Sequence, residues 1–321
     1  MPDNIVESVL SNFNIGKIST FSVFPINCGL SSSSVHKVTS SEGVFVLKSY
    51  HKSTLNSLQS VHELLEKVRD NGFDLFPLII PGKLKESFLY QHGFYWDLSS
   101  WIPGSSPDIS IGSLVQCINK LFQFHSASDF HESEYGTMPA MEKRIREINS
   151  FAISPINYSS ISFIPIPILM EHLKWIRQQL ICLDLWPLPK VNIQFCWGDA
   201  RKENILFNQD KISGFIDYCT MRKDCREVDV SRMISSFAGD DYAMWTDGLN
   251  AYSTKSPINY LVCRKLDILG TIGSFYRWLN WLQKPMPELI LNQGVQRFAE
   301  IFQRIKKWKE HGSLKSMLFY D

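Results

Sequence analysis

Cys196-Trp197-Gly198-Asp199-Ala200-Arg201-Lys202-Glu203-Asn204-Ile205-Leu206-Phe207, followed by Phe215-Ile216-Asp217-Tyr218, is the densest polar cluster in an otherwise apolar neighbourhood. Asn204 stands five residues after Asp199, and Asp217 thirteen after Asn204. The apolar runs Phe195 to Trp197, Asn204 to Phe207 and Ile212 to Ile216 predict small strands and turns carrying these side chains. An isolated Asp or Asn most often caps a helix or closes a turn. The combination of two carboxylates and an amide in this order is what points to chemistry.

Phosphoryl transfer needs a carboxylate that orients the attacking hydroxyl, and oxygen ligands that hold magnesium against nucleotide phosphates. Asp199, Asn204 and Asp217 supply those groups. Protein kinases use the same order: a catalytic-loop Asp, an Asn five residues on, and a metal-binding Asp at the end of the next hairpin. Overall the segment resembles more closely the aminoglycoside phosphotransferase and choline kinase family, whose signature is His-Gly-Asp, four residues, Asn, an apolar stretch, then Ile-Asp. The likeness runs over most of the chain. It implies Asp199 as the catalytic base, Asn204 and Asp217 as magnesium ligands, and ATP with Mg2+ as cofactors. By the same likeness Arg201, where protein kinases carry a Lys, steadies the transferred phosphate. Trp197 departs from the pattern, standing where the family has a loop-supporting His.

Upstream, Phe21 to Pro25, Val35 to Thr39 and Gly43 to Tyr50 are short and β-rich, separated by Gly/Ser turns. Leu58, Val61, Leu64, Leu65 and Val68 recur at helical spacing between Thr54 and Asn71, and Gly72 stops that helix. Strands follow around Phe88 to Tyr90 and Tyr95 to Trp101. Asn27 to Ser34 contains Gly29, Ser31 and Ser32, small residues whose backbone N–H groups and hydroxyls suit phosphates, although no full G-x-G-x-x-G is present. Lys48 sits between apolar strand neighbours, an expensive place for a charge without an anion. A strand lysine reaching solvent along its stem is the ordinary alternative; the resemblance to the kinase Val-Ala-Ile-Lys strand favours a phosphate. Its usual ion-pair partner is a Glu on the next helix. Glu63 is nearest, while the helix register puts Val61 at that place.

Pro103-Gly104-Ser105-Ser106-Pro107 reads as a turn or hinge, and the lobe boundary is placed there, giving residues 1–102 and 103–321. Helices are expected at Ile109–Ala127, Ala140–Ser150, Met170–Leu183, Val228–Phe237, Tyr260–Leu282 and Pro287–Lys307. Leu121 to Ala127 matches the family's Leu-x-x-Phe-His-x-Ala helix end, which makes His125 a buried scaffold residue. Asp229 corresponds to the family's Asp before Leu-Ala and is expected to anchor the loop after the metal site. Asp240, Asp241, Trp245, Tyr252, Phe275, Tyr276, Arg277, Trp278 and Trp281 are candidates for an acceptor pocket, but Phe275, Trp278 and Leu282 recur at a helical spacing that suits a core better.

The balance of 33 basic and 32 acidic residues, mixed along the chain, asks for neither nucleic acid nor an anionic membrane. No apolar run approaches the roughly 20 residues of a membrane span, and seven cysteines without a CxxC pair suit reduced thiols. A cytoplasmic location is expected. The reading is an α+β, bilobal protein-kinase-like fold: a small antiparallel sheet with one helix, then a larger, mainly α-helical lobe. Nucleotide is expected under the Gly29 loop and against the hinge strand near Ser100 and Ile102, with a small hydroxylated molecule as acceptor. The stretch from Asn71 to Gly104 also resembles the spore-coat CotS-type branch, so a kinase-like binding or assembly protein is the rival reading.

Overall fold

The computed structural model describes residues 3–23, 34–51, 55–130, 134–153, 156–157, 161, 163–183, 190–284, 288–312 and 314. In chain order the elements are α1 (Asp3–Leu10), β1 (Ile18–Val23), β2 (Val35–Ser40), β3 (Gly43–Tyr50), α2 (Leu55–Asp70), β4 (Ile79–Ile80), β5 (Leu89–Gln91), β6 (Phe94–Ser100) and α3 (Ile111–Ala127). These are followed by β7 (Glu134–Gly136), α4 (Pro139–Ile153), α5 (Ile166–Cys182), β8 (Val191–Cys196), β9 (Ile205–Asn208), β10 (Lys211–Phe215) and β11 (Arg222–Asp224). Four helices close the chain: α6 (Glu227–Ala238), α7 (Tyr242–Ser253), α8 (Tyr260–Leu282) and α9 (Glu288–Glu310). Among the described residues no helix is long and apolar enough to cross a membrane. Cys117, Cys196, Cys219, Cys225 and Cys263 carry free thiols.

The chain forms two compact units, one of residues 1–108, 123–130 and 201–222, the other of residues 109–122, 131–200 and 223–321. The first is built on an antiparallel sheet in the order β1-β2-β3-β6-β4, with β5 also on β6. Side chains alternate across a strand, so β3 sends Phe45 and Leu47 to one face and Lys48 and Tyr50 to the other. The Phe45 face joins Trp96 and Leu98 under Val6, Val9, Leu10, Phe13 and Ile15 from α1 and the turn after it. Each such side chain contributes about 1.5–3 kcal/mol on burial. Against the other face, Leu58 of α2 packs on Tyr50 and Tyr95. Register places Lys48 opposite Asp97.

The β9–β10 hairpin belongs to this unit. Ser105 pairs with Phe207, Phe215 N–H donates to the Leu75 carbonyl at 2.8 Å, and Ser213 Oγ donates to the Pro103 carbonyl at 2.6 Å. Phe73, Phe76, Phe124 and Phe215 interlock with ring centroids 5.4–5.8 Å apart, within the range where aromatic pairs attract.

The second unit is helical, apart from the small sheet β11-β8-β7. Its core is centred on α8, whose Val262, Leu266, Leu269, Ile272, Phe275, Tyr276 and Leu279 are buried among residues of α4, α5 and α9. Asn259 caps α8 by accepting from Val262 N–H, and Asp241 caps α7 by accepting from Met244 N–H, the usual service of such residues at a helix start. Arg304 of α9 ties the bundle by pairing with Asp240 and Asp267.

Candidate functional site

Lys48 is placed by the strand period on the α2 side of the sheet, where its Nζ meets Asp217 Oδ1 at 2.9 Å. Residues 169 positions apart are thus joined by a charge-assisted hydrogen bond. Burial alone would lower the Lys48 pKa, but Cys219, Asp217 and Asp97 outweigh it, and the group is held above the ordinary lysine value. The ammonium is therefore kept charged where an anionic ligand would need it.

Asp217 follows β10 with φ 59° and ψ 58°, a left-handed conformation uncommon outside glycine. The next residues, Tyr218–Thr220, form one 3-10 turn. Asn204 ends a similar turn before β9, and its carbonyl accepts from Ile216 N–H at 2.9 Å. The hairpin thereby brings the segments bearing Asn204 and Asp217 side by side, with Asn204 buried. Arg201 precedes that turn, its carbonyl accepting from Asn204 N–H. Ser100 ends β6, and Ile102 lies two residues beyond it. The Ser100 hydroxyl accepts from Leu78 N–H at 2.9 Å; Ile102 packs on Gly214, where an added Cβ would come within 2.5 Å of its Cδ1. Gly29, Ser31 and Ser32 lie outside the described residues.

Behind Lys48 is a buried polar cluster. Asp97 Oδ2 accepts from Tyr50 OH at 3.1 Å, from Tyr218 OH at 3.0 Å and from His62 Nε2 at 3.1 Å. The Tyr50 hydroxyl also meets Cys219 Sγ at 2.9 Å. Burial, with Asp97 and Cys219 close by, pushes both tyrosines well above their usual range. Burial likewise raises the Cys219 thiol to about 11, although Lys48 pulls it down. Sequence reasoning missed this cluster. One signal was present: an aspartate in the middle of the aromatic strand Phe94-Tyr95-Trp96-Asp97-Leu98 is too costly to bury without partners. Glu63, the nearest glutamate on the helix, accepts from Gln59, and the register place expected for that glutamate is filled by the buried Val61; Lys48 pairs with Asp217.

Asp199 belongs to the helical unit. It is buried to 7% exposure and forms an ion pair with Arg232 on α6, a partner the sequence did not suggest. The loop leading to it is pinned by Asp229, whose two carboxylate oxygens accept from Trp197 N–H at 2.6 Å and Gly198 N–H at 2.7 Å. Asp229 therefore anchors the loop before Asp199, whereas the resemblance suggested the loop after the metal site; the first turn of α6 aims its carboxylate at those two amides. Gly198 takes φ +81° to make the turn, a conformation open to glycine. The Trp197 ring is fully buried, so an apolar side chain fills the position where a histidine was expected. His125 is buried, as expected of a scaffold residue.

The proposed acceptor residues are mostly structural. Phe275, Tyr276, Trp245 and Tyr252 are buried, Trp278 and Trp281 pack against the helical core, Asp240 holds Arg304 and Asp241 caps α7.

Residues 23–265 match the family model described as the Phosphotransferase enzyme family. No curated protein matches the sequence. Among solved structures, a spectinomycin phosphotransferase in complex with ADP and spectinomycin aligns at 14% identity and TM-score 0.65, covering 99% of this chain and 98% of the other. An amicoumacin kinase in complex with AMP-PNP and Ca2+ aligns at 10% identity and TM-score 0.67, covering 98% and 95%. An ethanolamine kinase from Plasmodium vivax aligns at 12% identity and TM-score 0.56, covering 96% and 87%. The α+β architecture of this chain is the kinase-like fold of those proteins.

Proposed function

Because the chain belongs to the phosphotransferase enzyme family, we propose that it transfers the γ-phosphate of ATP, with Mg2+, to a hydroxyl of a small molecule. The observation that carries this reading is the Lys48–Asp217 pair at 2.9 Å, which joins a strand cation suited to phosphate with a carboxylate suited to a divalent ion. Asn204 and Asp217 offer an amide and a carboxylate oxygen. That donor set fits Mg2+, which takes one or two carboxylates and completes its shell with phosphates and water. When bound, the ion neutralises charge building on the transferred phosphoryl group.

In this reading Lys48 holds phosphate oxygens and Arg201 steadies the group in flight. Ser100 at the end of β6 and Ile102 just past it form the segment against which the nucleotide rests, and the Gly29, Ser31 and Ser32 segment covers its phosphates. Asp199 orients the acceptor hydroxyl and takes its proton. Its location beside the positive φ of Gly198 and under the grip of Asp229 on two loop amides fits a group that must be held still, since positioning supplies much of the catalysis in such reactions. The presence of all three of Asp199, Asn204 and Asp217 favours an enzyme over a kinase-like binding or assembly protein.

The test is ADP release with Mg2+ across a panel of aminoglycosides, choline, ethanolamine, homoserine and sugars. Acceptor-dependent release that Asp199→Ala abolishes while sparing nucleotide binding is expected. Equal loss of turnover and nucleotide binding in that variant would contradict the role given to Asp199, and magnesium-independent turnover would remove the roles of Asn204 and Asp217.

A further inference from the structure

We infer that Asp97 is a positioning residue for the metal-binding turn, acting through Tyr218, Tyr50 and His62 in place of a helix glutamate. The inference rests on the reading of Asp217 as a magnesium ligand.

Asp217 sits in a left-handed backbone conformation that a non-glycine residue holds only when its surroundings over-determine it. On its upstream side the restraints are the Ile216 N–H bond to the Asn204 carbonyl and the Phe215 N–H bond to the Leu75 carbonyl. On its downstream side the next two residues are both tied into the cluster around Asp97. The Tyr218 hydroxyl donates to Asp97 Oδ2, and Cys219 Sγ meets the Tyr50 hydroxyl, which donates to the same oxygen. Asp97 itself is completely buried and cannot be moved without breaking three hydrogen bonds at once.

The cluster also fixes the other partner of Asp217. Lys48 and Asp97 are cross-strand neighbours, so the position of one sets that of the other. His62 completes the arrangement from α2, donating from Nε2 to Asp97 Oδ2. In this chain α2 therefore reaches the lysine strand through a histidine and a strand aspartate, and Lys48 is left to pair directly with Asp217. Asp97 Oδ1 and His62 Nδ1 are buried and have no hydrogen-bond partner among the described residues.

The experiment is calorimetric ADP binding to the full chain with and without Mg2+, comparing wild type, Asp217→Asn, Tyr218→Phe, Asp97→Asn, His62→Leu and His62→Gln. Tyr218→Phe loses one hydroxyl, and it is the decisive variant should Asp97→Asn fail to fold. The expected result is a Mg2+-dependent gain in ADP affinity that is abolished in Asp217→Asn and reduced about tenfold to a hundredfold in Tyr218→Phe, the range typical of groups that orient a metal's ligands. Affinity of Tyr218→Phe for ADP without Mg2+ should stay near wild type. His62→Gln, which keeps a donor near the Nε2 position, should retain the gain that His62→Leu loses. If wild type gains from Mg2+, Asp217→Asn does not, and Tyr218→Phe gains as much as wild type, the positioning role is overturned while the metal site stands. If wild type shows no gain, or Asp217→Asn keeps it, the metal assignment fails and the positioning role falls with it.

Discussion

Replacing Asp229 by asparagine changes one atom in a completely buried side chain, and the structure sets what that should cost. The two oxygens of Asp229 accept from Trp197 N–H and Gly198 N–H at 2.6 and 2.7 Å. Hydrogen bonds to a charged group contribute about 1.5–3 kcal/mol each, and a neutral one about 1 kcal/mol. Asparagine keeps one acceptor and turns an NH2 group toward the other amide, so one bond weakens and one becomes a donor facing a donor. Relief from burying a charge returns part of the loss, which leaves a net destabilisation of about 2–4 kcal/mol. At roughly 2–4 °C per kcal/mol for a unit of this size, the helical unit should melt about 5–15 °C lower. Calorimetry gives the midpoint, and hydrogen exchange at the Trp197 and Gly198 amides reports the loop directly. Both amides should lose protection beyond the global change. An Asp229→Asn protein within about 0.5 kcal/mol of wild type, the range of an ordinary surface substitution, with both amides still protected, would refute the reasoning.

Three further outcomes are expected. Arg232→Ala removes an ion-pair partner of Asp199 and should lower kcat about a hundredfold, as a displaced reacting group does, with the KM for ATP little changed in steady-state kinetics. Cys219, raised to about 11 from 9.0 by burial and by Asp97 against the pull of Lys48, should react with iodoacetamide at pH 8 about a hundredfold more slowly than an ordinary thiol, because only the thiolate attacks; peptide mass spectrometry of the folded and urea-unfolded chain reads this. The Lys48 pKa is raised above 10.5 in the folded state, so its contribution to stability is complete below 10.5 and lost only as pH rises through the higher folded value. The wild-type advantage in urea midpoint over Lys48→Met should therefore hold from about pH 7 to pH 9.5 and narrow as pH rises past about 10.5; an advantage that instead grew with pH would mean a folded-state pKa below the unfolded one and would show that Lys48 lacks the raised pKa.

Elements with a long apolar period were legible in the sequence. The α8 helix has the bounds its spacing predicts, and β3 likewise. The α7 helix was not foreseen, because Thr246, Asp247, Gly248 and Asn250 are weak helix formers. Burial of Met244, Trp245, Leu249 and Tyr252 holds it in place. The strands β4, β7 and β11 have two or three residues, too few to carry an alternation; their partners define them. In α1 the spacing of Val6, Val9 and Leu10 is helical, but eight residues make a marginal helix without tertiary packing. Lys48 and Asp217 could be picked out from their local patterns, yet neither pattern shows that they touch. The cluster around Asp97 draws on positions 50, 62, 97, 218 and 219, of which only Asp97 stands out in its own segment, and its membership becomes visible only when β3 and β6 are paired and α2 is laid on them.

That cluster bears on how the lysine can serve a nucleotide. Lys48 is the cation beside two carboxylates, paired with Asp217 and across the strand from Asp97. Asp97 is enclosed by hydroxyl and imidazole donors, whereas Asp217 accepts from the lysine itself. Asp217 is also the accessible member, 37% exposed against complete burial for Asp97. In the proposed function, a divalent ion held by Asp217 would let Lys48 turn part of its charge to the phosphates, and metal and nucleotide would then bind with positive coupling. The three donors on Asp97 would keep that carboxylate and its strand in place while the lysine changed partners.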